Sequence, residues 1–448
     1  MIEALGSLPL LGWWAAPLAY AVAAVVVAVS WWRHTRYLPA GGRAAVVAGA
    51  LAVGLLGWVA VDVWWRPVAD GVGGYVFAWL GVLTLVVLQQ VAGGSAPARR
   101  AHRERRTPGW VVARVAAGLL AVTVAVGAAA LATNAHLSAY RTVGAAFGLR
   151  LRVVPLAGLA GVGSLSTAPR PQGPLEAHWR PPAGLPTRGQ VASADIPSSD
   201  PRFTPRKALV YLPPAYLVDG RPELPVLVLL AGQPGEPRDW LTAGRLTDTM
   251  DDYAARHGGL APVVVIPDPL GATTANPLCS DARLGRVATY LQSDVPAWIT
   301  RTLQVDEDPA HWAIAGLSNG GTCALQVVTR DPAPYRTFLS LSGELHPSLG
   351  TPAQTIAQGF GGDAAAYAAN DPLTLLGRGR YDGVAGIFSA GRDDHDFLAA
   401  AERLQAAARA SGMATELRTY PGGHAWTVWS MALADQAGWL GSRLGITA

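Results

Sequence analysis

The sequence is poor in charged residues. Only 15% of its 448 residues are charged, whereas 50% are apolar. This balance excludes an ordinary soluble protein and predicts that part of the chain lies in lipid. The length is sufficient for two or three domains.

A basic face for nucleic acid is also missing. The net charge of +4 arises in residues 1–135, which hold ten arginines and four acidic residues, whereas the remaining residues hold 25 basic and 27 acidic ones. A basic excess confined to an apolar region is typical of membrane topology, so we expect no nucleic-acid partner. The nine histidines show no spacing typical of metal ligands, and we expect no metal and no other cofactor.

Four stretches near the N-terminus are apolar over the length needed to cross roughly 30 Å of hydrocarbon. A domain of this size could not bury four uncharged helices in succession, which favours membrane spans over core helices. A cleaved signal peptide is not expected, because residues 1–9 contain Glu3 and no basic residue. The predicted spans are Leu8 to Trp32, Ala44 to Trp65, Val72 to Ala92 and Trp110 to Ala132.

The distribution of arginine predicts the orientation of these spans, because Lys and Arg collect in cytoplasmic loops. The loop between the second and third spans offers only Asp62, Arg66 and Asp70. The two other loops are rich in arginine, so we place them in the cytoplasm and everything after Ala132 on the extracytoplasmic side of the cell membrane. Their basic residues are Arg33, Arg36 and Arg43 in the first loop, and Arg99, Arg100, Arg103, Arg105 and Arg106 in the third.

The spans themselves contain almost no ionisable residues, which favours an anchor in the lipid bilayer over a transporter. After them, Val153 to Leu165 is too short to span a membrane and is expected at the interface or against the helix bundle. The Pro- and Gly-rich stretch from Thr167 to Pro186 predicts a linker. The expected domains are a transmembrane region at 1–135, a juxtamembrane segment and linker at 136–186, and a C-terminal domain at 187–448.

Beyond the linker, short apolar runs alternate with helix-like segments such as Asp294 to Thr302 and Phe397 to Ala410. This alternation predicts a mostly parallel sheet covered by helices on both faces. The predicted strands are Lys207 to Tyr211, Pro225 to Leu230, Pro262 to Ile266, His311 to Ala315, Thr337 to Leu341, Val384 to Phe388 and Glu416 to Tyr420.

A Gly-x-Ser-x-Gly motif with Ser318 at its centre follows one of these strands and precedes a helix. The motif alone is a weak signal, but this context is the one that a nucleophilic serine requires. Small neighbours let the serine adopt a strained backbone that holds its Oγ clear of the sheet. Ser318 is therefore the expected nucleophile.

Partners for this serine follow in the chain order of an α/β-hydrolase. Asp394 lies just after a predicted strand, where an acid can orient a histidine, whereas Asp393 and Asp396 are expected to be solvated loop charges. His424 lies on a Gly-Gly loop behind the last strand and is the expected general base.

An oxyanion requires backbone N–H groups close to the nucleophile. One is expected from Asn319, the residue after the serine, and another from Gln233 in the loop after an early strand. An ordinary Gly-Pro turn would explain the residues around Gln233 nearly as well.

These motifs resemble the putative-esterase family of α/β-hydrolases, which includes esterase D, feruloyl esterases and mycolyltransferases. The resemblance covers about residues 205–440 and none of the apolar region. It implies the α/β-hydrolase fold, ester chemistry without a metal, and the roles given to Ser318, Asp394, His424, Gln233 and Asn319. The matching stretches are Val210 to Tyr216, Leu224 to Gly232, Val263 to Asp268, Ala288 to Trp298, the serine motif, and Gly423 to Trp426.

Two positions depart from the family pattern and change the pocket. Ala231 stands where such esterases often have His, and Asn319 stands where Met is common. Neither departure removes a member of the expected triad.

The chain has only two cysteines, Cys279 and Cys323, and both fall in the part placed outside the cytoplasm. An even number of cysteines in an oxidising compartment favours a disulfide over two free buried thiols.

The expected function is that of a membrane-anchored serine esterase acting through an acyl-enzyme on an acylated envelope lipid or glycolipid. An envelope acyltransferase that moves the acyl chain to a sugar hydroxyl would use the same triad. A hydrolase fold that serves only as a binding module is the alternative from another class. Oligomeric state is not indicated by the sequence.

Overall fold

A computed structural model of the chain describes residues 6–12, 14–65, 72–92, 108–149, 151–159, 166–168 and 170–448. The chain forms two compact units, one that ends at Leu149 and one that runs from there to the C-terminus. The loop residues Arg66, Asp70, Arg99, Arg100, Arg103, Arg105 and Arg106, used above for orientation, lie outside the described residues.

The first unit is helical. Within its described residues, four helices are long and apolar enough to cross a membrane, as the sequence predicted. The first of them begins at Ala15 rather than at Leu8, with Pro17 in its first turn, where a proline costs no helical hydrogen bond. The helices are α1 (Ala15–Thr35), α2 (Ala40–Trp58, continued as a π-helix over Val59–Trp65), α3 (Gly74–Ala92), α4 (Pro108–Leu137) and the short α5 (Val143–Ala146).

Large apolar side chains point outward from these helices. Leu51, Leu56 and Trp64 are 68%, 65% and 81% exposed, which would be unfavourable in water and is expected in a bilayer. Inside the bundle, the Gln89 amide donates to the Ser30 hydroxyl at 2.9 Å and so joins α3 to α1. Such polar contacts between helices stabilise membrane bundles.

The second unit contains a nine-stranded sheet. Its spatial order is β1-β2-β3-β5-β4-β6-β7-β8-β9, and every neighbouring pair is parallel except β2–β3 and β3–β5. The strands are β1 (Val153–Pro155), β2 (Gln190–Ala194), β3 (Ala208–Leu212), β4 (Val226–Leu230), β5 (Val263–Ile266), β6 (Trp312–Leu317), β7 (Thr337–Leu341), β8 (Ala385–Gly391) and β9 (Ala414–Tyr420).

Helices cover both faces of this sheet. Along β4, Val226, Val228 and Leu230 face one apolar core, whereas Leu227 and Leu229 face the other, and all five are fully buried. A parallel sheet buried on both faces explains why these strands are continuous apolar runs. The helices are α6 (Leu175–His178), α7 (Asp239–Thr242), α8 (Leu246–Arg256), α9 (Val287–Thr289, continued as a π-helix over Tyr290–Asp294), α10 (Val295–Thr302), α11 (Asn319–Arg330), α12 (Pro352–Phe360), α13 (Ala364–Ala368), α14 (Pro372–Leu376), α15 (His395–Ala410) and α16 (Trp426–Arg443).

The segment before β2 differs from the sequence-based expectation. Val153–Pro155 pairs in parallel with Val191–Ser193 at the edge of the sheet, so these residues belong to the second unit. The expected linker is also anchored, because the Leu175 N–H donates to the Gly445 carbonyl and the Trp179 indole donates to the Gly258 carbonyl. Residues 160–165 lie outside the described residues.

Cys279 and Cys323 are joined by a disulfide, with their Cα atoms 5.2 Å apart. Cys323 is buried in α11, the helix that follows Ser318, and Cys279 is buried in the segment after β5. The bond therefore fastens the helix after Ser318 to a loop at the carboxyl edge of the sheet.

Removing this bond should destabilise the second unit. For the 44 residues that separate the two cysteines, we expect the double change Cys279→Ser with Cys323→Ser to lower the free energy of unfolding by roughly 2–4 kcal/mol. The measurement is urea unfolding of the purified full chain, and wild type treated with reductant should fall to the level of the double variant. Identical midpoints for oxidised wild type and the double variant would contradict the prediction.

Candidate active site

The turn after β6 holds Ser318 in an unusual backbone conformation. Its φ is +50° and its ψ is −123°, and α11 begins at the next residue. Positive φ is uncommon for a residue with a side chain and indicates a position held by its surroundings. The Ser318 N–H donates to the Leu341 carbonyl at the end of β7 at 2.8 Å. The serine is thereby fixed at the carboxyl edge of the sheet.

Close backbone packing explains the two glycines of the serine motif. A Cβ at Gly316 would lie 2.3 Å from the Gly320 carbonyl oxygen, and a Cβ at Gly320 would lie 2.5 Å from the Ala231 carbonyl oxygen. No side chain fits at either position. The motif in this chain is therefore required by the tight passage from strand to helix.

Two of the predicted partners meet at the same edge of the sheet. The Nδ1 atom of His424, in the loop after β9, lies 2.8 Å from Oδ2 of Asp394, in the turn after β8. The carboxyl side chain is 8% exposed and the imidazole is 28% exposed. When Nδ1 carries the proton donated to the carboxylate, Nε2 is left as the proton acceptor on the other side of the ring.

The loops that carry this pair are packed backbone against backbone. The Asp393 N–H donates to the Gly422 carbonyl at 3.0 Å. A Cβ at Gly391 would lie 2.2 Å from the Gly422 carbonyl oxygen, so only glycine fits where β8 ends. This contact sets the distance between the acid and the histidine.

Aromatic side chains hold the His424 ring on two sides. The Phe397 ring lies against it with centroids 4.1 Å apart, and the Trp429 ring meets it edge to face at 4.9 Å. Trp429 is itself fixed by a hydrogen bond from its indole N–H to the Ser342 hydroxyl at 3.2 Å. The ring can therefore present Nε2 in one orientation only.

The neighbouring acids are placed differently. Asp393 and Asp396 are both exposed, whereas Asp394 is buried against the histidine. Asp393 is thus a solvated loop charge, whereas Asp396 is solvated but lies in the first turn of α15 and not in a loop.

The loop after β4 lies directly against Ser318. A Cβ at Gly232 would lie 3.2 Å from the Cβ of Ser318, and Gln233 is the residue that follows this contact. The Gln233 side chain is bonded at both ends, since its amide donates to the Thr274 carbonyl at 2.9 Å and its oxygen accepts from Asn276 at 3.3 Å. The peptide between Gln233 and Pro234 is cis.

The second expected oxyanion donor is the N–H of Asn319. This residue opens α11, and the N–H groups in the first turn of a helix have no acceptor within the helix. The positive end of the helix dipole lies at the same point, so an anion formed beside Ser318 would be favoured there.

Charged residues behind the Gln233 loop have shifted pKa values. Burial raises the pKa of Asp239 to about 6, against the opposing effect of the Glu236 N–H, which donates to its carboxylate at 2.8 Å. Hydrogen bonding to the buried Asp268 raises the pKa of the Arg206 guanidinium. The contact with Asp268 therefore favours the charged form of Arg206.

Several residues around the site carried no usable signal in the sequence. Phe397, Trp429 and Ser342 come from three separate segments and meet only in the folded unit. The position of Asp268 was partly indicated by the sequence, because an acid that follows a buried strand lies at the carboxyl edge of the sheet. Nothing in the sequence indicated its partner. Among the described residues, no group of three or more His, Cys, Asp or Glu side chains is arranged to hold a metal ion.

Three solved structures are among those that this chain resembles. A ferulic acid esterase is 22% identical, with 58% of this chain and all of that chain covered and a TM-score of 0.49. An S-formylglutathione hydrolase from Agrobacterium tumefaciens is 20% identical, with 58% and 97% covered and a TM-score of 0.49. MPT51 of Mycobacterium tuberculosis is 21% identical, with 56% and 97% covered and a TM-score of 0.40.

Sequence comparison identifies the family. An uncharacterized protein of Corynebacterium glutamicum is 41% identical over 250 residues, which are 54% of this chain and 59% of that protein, so the chain matches about three fifths of its relative's length. The profile of the putative esterase family matches residues 203–440, which is more than half of the chain. The chain therefore belongs to the putative esterase family, and its second unit has the α/β-hydrolase fold.

Proposed function

We propose that the chain is a membrane-anchored serine esterase whose nucleophile is Ser318. His424 acts as general base and Asp394 orients it, while the N–H groups of Gln233 and Asn319 bind the oxyanion. The observation that supports this proposal is that a strained serine and a hydrogen-bonded Asp394–His424 pair all follow strands of one sheet at its carboxyl edge.

Acylation begins with proton transfer from the Ser318 hydroxyl to Nε2 of His424 as Oγ attacks the ester carbonyl carbon. The imidazolium that forms is stabilised by the Asp394 carboxylate on Nδ1. Negative charge on the carbonyl oxygen is bound by the two amides, which are already in place before the reaction. When the tetrahedral intermediate collapses, the imidazolium returns the proton to the leaving alcohol and an acyl-enzyme remains.

Deacylation repeats these steps with a second acceptor. If His424 deprotonates water, the products are a free acid and the regenerated serine, which is the esterase reaction. If the acceptor is a sugar hydroxyl, the acyl chain is transferred, so an envelope acyltransferase remains the alternative within the same mechanism. Product analysis with and without a sugar acceptor separates the two.

The four apolar helices support membrane attachment. Arg43, in the first turn of α2, donates through Nε to the Thr35 carbonyl at 3.1 Å and through Nη2 to the Arg36 carbonyl at 2.9 Å, so it caps the end of α1. Arginines at this turn favour a cytoplasmic loop, which would place the hydrolase domain on the extracytoplasmic side. The disulfide is consistent with that oxidising compartment.

Attachment to the membrane also supports the choice of substrate. A domain tethered to a bilayer meets lipids at a high effective concentration, whereas soluble esters reach it only by diffusion. An acylated envelope lipid or glycolipid is therefore the proposed substrate.

Removing the nucleophile or the base should abolish turnover. We expect Ser318→Ala and His424→Ala each to lower kcat for p-nitrophenyl acetate by roughly 10³-fold or more, because triad members act as a unit. The melting temperature should stay close to that of wild type. A fluorophosphonate probe should label wild type and leave Ser318→Ala unlabelled. Unlabelled wild type would instead support the binding-module alternative.

Two neighbouring acids after β8, the buried Asp394 and the exposed Asp393, offer a matched comparison. We expect Asp394→Asn to lower kcat by roughly 10²- to 10⁴-fold, because the amide holds the wrong histidine tautomer. Asp393→Asn, one residue away and exposed, should leave kcat within about twofold of wild type, as is usual for surface substitutions. The measurement is steady-state kinetics of both purified variants, and equal losses would mean that the orienting acid has been misassigned.

The proposed orientation can be tested with single cysteines. Arg36→Cys and Ala399→Cys are both at exposed positions, the first between α1 and α2 and the second on α15. In intact cells, a membrane-impermeant maleimide should label Ala399→Cys and not Arg36→Cys, because charged reagents do not cross lipid. Both should be labelled after permeabilisation. The reverse pattern in intact cells would place the hydrolase domain in the cytoplasm.

A further inference from the structure

Arg206 lies at the catalytic edge of the sheet although it precedes a strand. It stands just before β3, and β3 runs antiparallel to β5, with Leu209 opposite Ile266. The start of β3 therefore lies beside the end of β5, at the same edge as Ser318. A residue before β3 can reach the loops that build the site.

Asp268, two residues after β5, is the anchor for this arginine. Its carboxylate is fully buried and accepts from Arg206 Nε and Nη2, each at 2.8 Å, in a forked pair. The Arg206 N–H donates to the same carboxylate at 2.8 Å, and the N–H groups of Leu270 and Gly271 donate to it at 3.2 and 3.0 Å. A buried carboxylate bonded on all sides holds its partner in a single position.

From this position, Arg206 reaches the loop that carries Gln233. Its Nη2 atom donates to the Gly235 carbonyl at 2.8 Å, and its Nη1 atom donates to the Thr273 hydroxyl at 3.1 Å. The Gly235 N–H donates to the Thr273 carbonyl at 3.0 Å. Both backbone polar groups of Gly235 are therefore bonded to Arg206 or to the segment after β5.

The same segment holds the other end of the loop, where Thr274 and Asn276 bind the Gln233 side chain. The backbone N–H of Gln233 thus lies between two fixed points of the loop. It directly follows Gly232, which packs against Ser318. An oxyanion donor must lie within a few tenths of an ångström of its place to lower the barrier. The Asp268 carboxylate is fully buried and accepts five hydrogen bonds, which is more support than a surface ion pair requires.

We propose that Arg206, fixed by Asp268, is a positioning residue that sets the direction of the Gln233 N–H in the oxyanion hole. The inference rests on the proposed function, because it assigns Arg206 a part in that reaction. Loss of the guanidinium would release the Gly235 carbonyl and let the amide turn away from the developing negative charge. The defect would then fall on the transition state and not on substrate binding.

The test uses the full chain in detergent with three variants. Arg206→Met removes the guanidinium. Arg206→Lys keeps a positive charge beside Asp268, but one ammonium group cannot form the forked pair with that carboxylate and also bind the Gly235 carbonyl. Lys207→Met is the matched control. Lys207 is the next residue and forms an ion pair with Asp195, but that pair is exposed. The readouts are kcat, KM and the inhibition constant of a trifluoromethyl ketone, whose adduct with a catalytic serine carries an oxyanion.

Arg206→Met should lower kcat by roughly 10- to 100-fold, less than the outright loss of an oxyanion donor, with KM within about threefold of wild type. Affinity for the trifluoromethyl ketone should fall in parallel, and Arg206→Lys should lie between Arg206→Met and wild type. Lys207→Met should match wild type in all three readouts. If Arg206 contributed only to stability, Arg206→Met would lower the melting temperature. At temperatures well below that melting point, its kcat and ketone affinity would equal those of wild type.

Wild-type kcat and ketone affinity in a folded Arg206→Met would overturn the inference. If Arg206→Met does not fold, Arg206→Lys decides, and wild-type kcat in that variant overturns the inference as well. The proposed function fails separately, when wild type does not hydrolyse the ester or when its activity survives Ser318→Ala.

Discussion

Backbone crowding at the ends of β4 and β6 is the constraint on which the site depends. A Cβ at Gly320 would lie 2.5 Å from the Ala231 carbonyl oxygen, so a side chain there would push the turn after β6 away from the end of β4. The Gln233 loop is equally close to this turn, because a Cβ at Gly232 would lie 3.2 Å from the Ser318 Cβ. The parallel order of the sheet also brings Asp394 and His424 to the same edge.

The sequence predicted the parts of the fold that have a strong local signal. Thr337–Leu341 matches its predicted boundaries, and the other predicted strands shift by one to three residues, because fully buried parallel strands are apolar throughout. β1 and β2 were missed. Gln190–Ala194 is half polar and lies near the edge of the sheet, and Val153–Pro155 is three residues long, so neither has the apolar run of a central strand.

The candidate site divides in the same way. Ser318 and His424 stand in short glycine-rich motifs whose shape depends on local backbone, and such motifs are visible in one sequence. The network of Arg206, Asp268 and Gly235 is different, because its members are separated along the chain and each is an ordinary residue in its own segment. Only the antiparallel pairing of β3 with β5 brings them together. Interactions of this kind depend on topology and cannot be found from periodicity or spacing.

The disulfide connects the two halves of this arrangement. Cys323 lies in the helix that begins beside Ser318, and Cys279 ends the segment that carries Asp268, Thr273, Thr274 and Asn276. One covalent bond thus ties the helix after Ser318 to the segment that supports the Gln233 loop. Without it, these two parts would be held together by packing and by hydrogen bonds such as that from the Gln326 amide to the Ser280 hydroxyl. A chain kept in a reducing compartment would then hold the same side chains in a looser frame.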